Sequence, residues 1–178
     1  MIEIVVLGLG SNTGNRMINL KRAIKAIYFL QGFDILTISN VYETEPWGFK
    51  NQKNFLNCIL AGIYKENPVI LLERIKDIEF RIGRLKREKW HSREIDIDIL
   101  FFGKRVIMEK NLIIPHPQIQ FRNFILVPCI DILPDFFHPV LRKKIISIYK
   151  TSKDKGKVRL YRKIRSSDGR TVKYYKSQ

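Results

Sequence analysis

Apolar positions between residues 3 and 103 switch between two spacings, and each switch marks an element. The run EIVVLGL at 3–9 is short and β-rich, as a central strand reads. SNTGN follows as a loop and helix cap, with Asn12 or Thr13 as the capping residue. Met17, Leu20, Ala23 with Ile24, Ile27 and Leu30 then recur at helical spacing, and Gly32 stops the helix. FDILTISNVYET at 33–44 predicts a strand, EPWGFKNQKN at 45–54 a loop, and FLNCILAGIYKE at 55–66 another strand. Pro68 stands where a helix starts, and Leu72, Ile75, Ile78 with Glu79, and Ile82 carry it to Gly83. LKREKWHSR at 85–93 is a basic loop, and EIDIDILFFG at 94–103 reads as a strand.

The predicted order is β-α-β-β-α-β over residues 3–102. That is an α+β, ferredoxin-like arrangement: an antiparallel sheet with helices packed on one face. LIIPHPQIQFRNFILVPCIDILPD after it predicts an irregular segment around a short helix. In KVRLYRKIRSSDGRTVKYYK, two β-forming runs flank an Asp168-Gly169 turn signal, which predicts a C-terminal basic β-hairpin.

Length and charge divide the chain further. Its 178 residues, 45% of them hydrophobic, suit one domain with an appended segment. Residues 141–178 hold 14 Lys and Arg against 2 Asp, so most of the +16 net charge belongs to that stretch. The expected division is a domain at 1–140 and a basic extension at 141–178. No apolar run approaches the roughly 20 residues of a membrane span. The opening MIEIVVLGLG lacks a basic leader region and reads as the first strand. Cys58 and Cys129 are isolated, which suits free thiols in a reducing cytoplasm.

Strand alternation puts Glu94, Asp96 and Asp98 on one face and Ile95, Ile97 and Ile99 on the other. Alternation alone is also what a half-buried sheet with a wet face would give. The preceding loop tips the balance. Arg84, Lys86, Arg87, Lys89 and Arg93 surround Trp90 and lead straight into the acids. Cations beside carboxylates suit a polyphosphate with Mg²⁺, each neutralising different oxygens. GLGSNTGN fails the dinucleotide fingerprint, because Thr13 stands where a glycine is required, and no Walker lysine follows. Gly8 and Gly10 then read as close backbone packing. TEPWGFKNQKNFLN leaves two readings open: the edge of a pocket for a flat heterocycle, or an ordinary loop with Phe55 in the core. His116, between two prolines, is weak evidence by itself.

Taken together, GLGSNTGN, SNVYETEPWGFKNQKNFLN, IEFRIGR, KWHSREIDIDILFFG and IPHPQIQFRNFILVP occur in the order found in one family. The chain resembles 6-hydroxymethyl-7,8-dihydropterin pyrophosphokinase of folate biosynthesis, over residues 4 to about 135. The resemblance implies transfer of pyrophosphate from ATP to the pterin's hydroxymethyl oxygen, with release of AMP. It makes Asp96 and Asp98 the ligands of two Mg²⁺ ions. Arg84 and Arg93 become the catalytic cations on the phosphates. His116, Arg122, Glu79 and Trp90 fall on the nucleotide side. Phe55 and Phe124 sandwich the pterin ring, and Thr44, Asn57 and a backbone group near Trp47 hydrogen-bond it. His91 and Ser92 stand where many relatives have Gly-Pro, Glu45 where proline often occurs, and Phe55 where tyrosine is frequent.

The competing class is a nucleic-acid-binding module, suggested by the fold order and by Tyr161, Tyr174 and Tyr175 among the tail's cations. The acidic face argues against it, since it would repel phosphates without a metal. The expected partners are therefore the small molecules ATP and hydroxymethyldihydropterin, with no membrane and no nucleic acid. For the tail, a solvated or self-associating hairpin is the favoured reading, and removal of residues 153–178 is expected to leave the chemistry nearly unchanged.

Overall fold

The computed structural model describes residues 3–85 and 91–164. Its strands are β1 (Ile4–Ser11), β2 (Phe33–Ile38), β3 (Val41–Thr44), β4 (Phe55–Tyr64), β5 (Asp96–Phe102), β6 (Ile107–Glu109), β7 (Leu112–Ile114), β8 (Phe137–His138), β9 (Lys143–Lys144) and β10 (Val158–Arg162). Its α-helices are α1 (Arg16–Tyr28), α2 (Pro68–Ile82), α3 (Asn123–Ile132) and α4 (Ile145–Lys150). Six strands form one antiparallel sheet in the order β10-β3-β4-β1-β5, with β2 also paired to β4. β6 with β7 and β8 with β9 form two small ribbons beside it.

Alternation along β1 and β5 builds two cores, one on each face. Val5, Leu7 and Leu9 join Ile95, Ile97 and Ile99 under α1 and α2, whose Leu20, Ala23, Ile27, Leu71, Ile75 and Ile78 complete the larger core. Val6, Ile59, Leu100 and Phe101 meet Ile125, Leu126 and Cys129 of α3 and Ile145 and Ile148 of α4 on the opposite face. Helices therefore cover both faces, where the sequence predicts one. The reason lies in NFILVPCIDI, which is apolar enough to bury a full helix rather than a short one.

Three local expectations change. The run at 33–44 is two strands, not one, and both lie along β4. Ser39 bridges their break: its hydroxyl accepts from the Ile59 N–H at 2.8 Å and donates to the Asn40 carbonyl at 2.8 Å. The α1 cap is Asn15, whose side chain accepts from the Ile18 N–H, rather than Asn12 or Thr13. The pairing of β5 begins at Asp96, so Glu94 lies in the loop before the strand. β5 also bulges: Phe101 pairs with Val6 and Ile99 with Leu7, which leaves Leu100 as the extra residue.

The ends of α2 aim the next segment. Asn67 caps its start and Pro68 occupies its first position. Gly83 closes it with φ 101°, a left-handed turn that favours glycine, and the chain leaves through Arg84 toward β5. Where the sequence predicts the first arm of a C-terminal hairpin, the chain forms β10, which pairs antiparallel to β3. The Asp168-Gly169 turn and the second arm lie outside the described residues.

Candidate active site

The site follows from strand register. Asn57 of β4, Gly10 of β1 and Asp96 of β5 stand side by side, and one step along stand Ile59, Gly8 and Asp98. Residues paired across antiparallel strands point to the same face. Each row thus has a side chain at both ends and a glycine in the middle. The gap is the floor of a cavity of about 220 Å³, lined by Gly8, Gly10 and all four flanking residues among others. A Cβ on Gly10 would come within 2.7 Å of the Asn57 Oδ1, and one on Gly8 within 3.3 Å of Leu100. The two glycines read from sequence as packing are what keep this floor open.

One end of the cavity is acidic with a cationic rim. Asp98 is half-buried, and desolvation together with the neighbouring Asp96 charge pushes its carboxyl up to about 7, although Lys76 and Arg122 pull the other way. Among the described residues, no hydrogen bond or ion pair reaches the Asp98 carboxylate. Asp96 is held from two sides: Arg84 approaches at 2.9 Å, and Arg93 approaches both of its oxygens at 2.9 Å. Behind the strand sits Glu79, buried at 1% exposure. Its carboxylate accepts from the Ile97 N–H at 2.7 Å, pairs with Arg84, and takes Lys76 at 2.9 Å. Glu79 is not part of the cavity wall; it fixes the backbone between the two aspartates and steers Arg84.

These donors fit a hard cation. Two carboxylates converge on one cavity, and desolvation and the Asp96 charge hold Asp98 toward its protonated form. Among the described residues, no three His, Cys, Asp or Glu side chains gather into a metal group, so a bound ion would complete its shell with water and phosphate oxygens.

The other end is built for a flat ring. Asn57 Nδ2 donates to the Thr44 Oγ at 2.7 Å, and both side chains are buried. Phe55, Trp47 and Phe124 are half-buried and line the wall. Trp47 and Phe124 lie 6.4 Å apart at 57°. The Arg122 guanidinium sits 5.9 Å from the Trp47 ring centre and 5.6 Å from that of Phe124, placing a cation at the seam between aromatic and acidic halves. His116 lines the cavity too, and its Nδ1 accepts from the Gln118 N–H at 3.2 Å. The neutral ring therefore carries its proton on Nε2. Burial and the nearby Arg122 push its pKa down to about 4, so at neutral pH it is a donor rather than a cation.

The fold brings Thr44, Trp47, Phe55, Asn57, Arg93, Asp96, Asp98, His116, Arg122 and Phe124 to one cavity. Arg84 reaches it through Asp96. Trp90 lies outside the described residues. Glu94 accepts from the Leu85 N–H at 3.3 Å and so pins the two ends of the 85–94 loop together. His91 stacks on Phe49 at 5.1 Å and 16°, and Ser92 donates to Gln52 at 3.3 Å, so the residues in place of Gly-Pro join one loop to the other. Asn12 is the residue that reading the sequence for site chemistry misses. Its amide donates to Gln52 and to the Lys53 carbonyl, and its Oδ1 accepts from the Arg93 N–H at 2.7 Å. Its signal was an asparagine directly after a strand with no helix of its own to cap.

Carboxylates and arginines at one end and an aromatic slot at the other suit an enzyme that handles a phosphate-bearing ligand beside a flat ring. The comparisons agree. A family model described as 7,8-dihydro-6-hydroxymethylpterin-pyrophosphokinase (HPPK) matches residues 6–134. The 2-amino-4-hydroxy-6-hydroxymethyldihydropteridine pyrophosphokinase of Aquifex aeolicus is 46% identical over 142 residues, covering 79% of this chain and 87% of that protein. The Bacillus subtilis protein of the same name is 36% identical over 132 residues, covering 74% and 79%. A wild-type Plasmodium falciparum HPPK-DHPS structure with pterin and p-hydroxybenzoate has a TM-score of 0.67 at 20% identity, covering 84% of this chain and 43% of that one, a likeness of fold alone. The chain belongs to the 7,8-dihydro-6-hydroxymethylpterin-pyrophosphokinase family.

Two tests follow from the electrostatics. Asp98→Asn removes a charge that desolvation and the neighbouring Asp96 disfavour, so at pH 8 without divalent ions it should raise Tm by about 2–8 °C while abolishing turnover. An unchanged or lower Tm would show that the charge is already balanced. For His116, the folded pKa of about 4 lies below the ordinary 6.5. The unfolded chain takes up this proton first, so the group's stabilising contribution is full above pH 6.5 and is lost as pH falls toward 4. Imidazole ¹⁵N shifts at pH 5.5 should report a neutral Nε2–H ring; titration near 6.5 would contradict the site's electrostatics.

Proposed function

We propose that the cavity is the active site of the pyrophosphokinase reaction that family membership assigns, in which ATP gives its terminal diphosphate to 6-hydroxymethyl-7,8-dihydropterin in folate biosynthesis. The observation that carries this reading is the Asn57–Gly10–Asp96 row, with a ring-reading amide at one end, a phosphate-side carboxylate at the other and nothing between. The pterin lies between Phe55 and Phe124, with Thr44, Asn57 and the backbone near Trp47 on its hydrogen-bonding edge. Its hydroxymethyl oxygen points toward the acidic end. That oxygen attacks the β-phosphorus of ATP in line. The new O–P bond forms as the bond from that phosphorus to the α,β-bridging oxygen breaks. AMP leaves with the bridging oxygen, and the hydroxyl proton passes to solvent.

The protein's part is positioning and charge. Asp96 and Asp98 hold Mg²⁺, two ions in this reading, which when bound neutralise charge on the phosphate oxygens. Arg84 and Arg93 exchange Asp96 for phosphate oxygens as the nucleotide arrives. Their present grip on Asp96 supports this, since it shows both guanidinium groups within reach of the acidic end. His116 donates its Nε2–H and Arg122 its charge on the nucleotide side. Glu79 acts from behind the strand, through Arg84 and Ile97. Trp90 is assigned to the nucleotide side as well.

On the wider assignments, counting β2 and β3 as one bent strand gives the sheet the ferredoxin-like order, and residues 1–140 form the pyrophosphokinase domain. No described helix is long and apolar enough to cross a membrane. A reducing, cytoplasmic setting is supported by Cys58 and Cys129, both free and buried. Self-association through the extension is supported by exposed Leu160 and Tyr161 on β10, at the end of the sheet.

Incubation with ATP, Mg²⁺ and the hydroxymethyldihydropterin should yield AMP and a pterin diphosphate, and Asp96→Ala should reduce turnover by about 10³-fold or more without loss of fold. ADP as the nucleotide product, or an active Asp96→Ala protein, would overturn the assignment.

A further inference from the structure

The family match ends at residue 134, yet the chain after it returns to a second cavity whose wall shares Thr44, Trp47 and Phe124 with the first. α4 packs beside α3 through Ile145 and Ile148, and the segment that follows runs back to the first turn of α3. There Asn123 donates twice to Asp154. The Asn123 N–H donates to the Asp154 Oδ2 at 2.7 Å, and the Asn123 Nδ2 donates to the Asp154 carbonyl at 2.7 Å. The other Asp154 oxygen accepts from the Gly156 N–H at 2.8 Å, which fixes the carboxylate in place.

α3 needs that carboxylate. The residue at its own cap position is Arg122, whose side chain makes no capping bond. An aspartate 31 residues away supplies both the acceptor and the negative charge that a helix start favours. Asn123 stands between Arg122 and Phe124, so the clamp acts on the residues that form the aromatic and cationic seam. Four residues later the same segment becomes β10 and pairs Val158 with Thr44 and Leu160 with Tyr42. A second cavity of about 250 Å³ lies between extension and site; Thr44, Trp47 and Phe124 wall it on one side and Asp154, Lys155 and Val158 on the other. Thr44, Trp47 and Phe124 also line the substrate cavity.

We propose that Asp154 is a positioning residue for pterin binding, acting through Asn123 to set Phe124 and Arg122. The proposal rests on the assignment of Phe124 to the pterin face. It sets aside the expectation that residues 153–178 are dispensable, at least for the part from Asp154 to β10.

Steady-state AMP formation, with pterin varied at saturating Mg²⁺ and ATP, tests it. Asp154→Ala should raise the pterin KM about tenfold while kcat stays within about threefold. Asp154→Asn keeps an acceptor for the Asn123 N–H and should restore KM to within about threefold of the parent. Lys153→Ala, an exposed neighbour outside these bonds, should match the parent. If Asp154→Ala does not fold, Asn123→Ala, which removes only the side-chain bond, should raise the pterin KM about threefold. An Asp154→Ala or Asn123→Ala protein with the parent's pterin KM would overturn the proposal, as would a loss confined to kcat and Tm. No AMP from the parent chain would instead overturn the reaction on which it rests.

Discussion

Two neighbouring carboxylates on one strand, the inner of them with no hydrogen bond or ion pair among the described residues, are the constraint on which this site depends. Asp98 is pushed up to about 7 because water is excluded and Asp96 stands beside it. Such a group costs the fold free energy in its charged form, and it is tolerated where a ligand removes the cost. Everything around it bears on that cost. Arg84 and Arg93 neutralise Asp96, so only one of the two acids carries an unmatched charge. Glu79, itself buried, holds Arg84 and the Ile97 N–H, so the strand between the acids cannot shift to relieve the strain of like charges. The isoleucines between the acids anchor the strand in the larger core. The pair of like charges is thus built onto backbone fixed by the core, which in the proposed reaction would be met by a metal ion and a polyphosphate.

The aromatic half depends on the same sheet. Gly10 separates Asn57 from Asp96, so the distance between these two side chains is set by two strand spacings and not by a loop. Loops then act on this fixed frame. Asn12, directly after β1, bonds to the loop carrying Gln52 and Lys53 and to Arg93, and His91 stacks on Phe49. A single buried amide therefore ties the loop carrying Gln52 and Lys53 to Arg93.

Much of this was legible in the sequence because it rests on period. Alternation in EIDIDIL placed Asp96 and Asp98 on one face, and the structure keeps them there, opposite Ile97 and Ile99. Glu94 broke the pattern, because pairing to β1 stops at Asp96 and the residue before it serves the loop instead. Gly8 and Gly10 were readable as close backbone packing, but their purpose needed the register to β4 and β5, which no local window contains. The same holds for Asp154: its partner is 31 residues away, and nothing near KTSKDKGK points to the start of α3. The division of 33–44 into two strands was hidden for a different reason. Ser39 satisfies the backbone at the break with its side chain, so the run stays β-like in composition while the strand is interrupted.

The central claim is that Asp96 and Asp98 form one cation site that Arg84 and Arg93 partly occupy until phosphate arrives. A crystal structure with Mg²⁺, a non-hydrolysable ATP analogue and the pterin tests it most directly. The account predicts Mg²⁺ bonded to oxygens of both aspartates and to the analogue's phosphates, with Arg84 and Arg93 moved from Asp96 onto phosphate oxygens. Mg²⁺ bound away from Asp98, or arginines still paired with Asp96 beside a bound nucleotide, would contradict it.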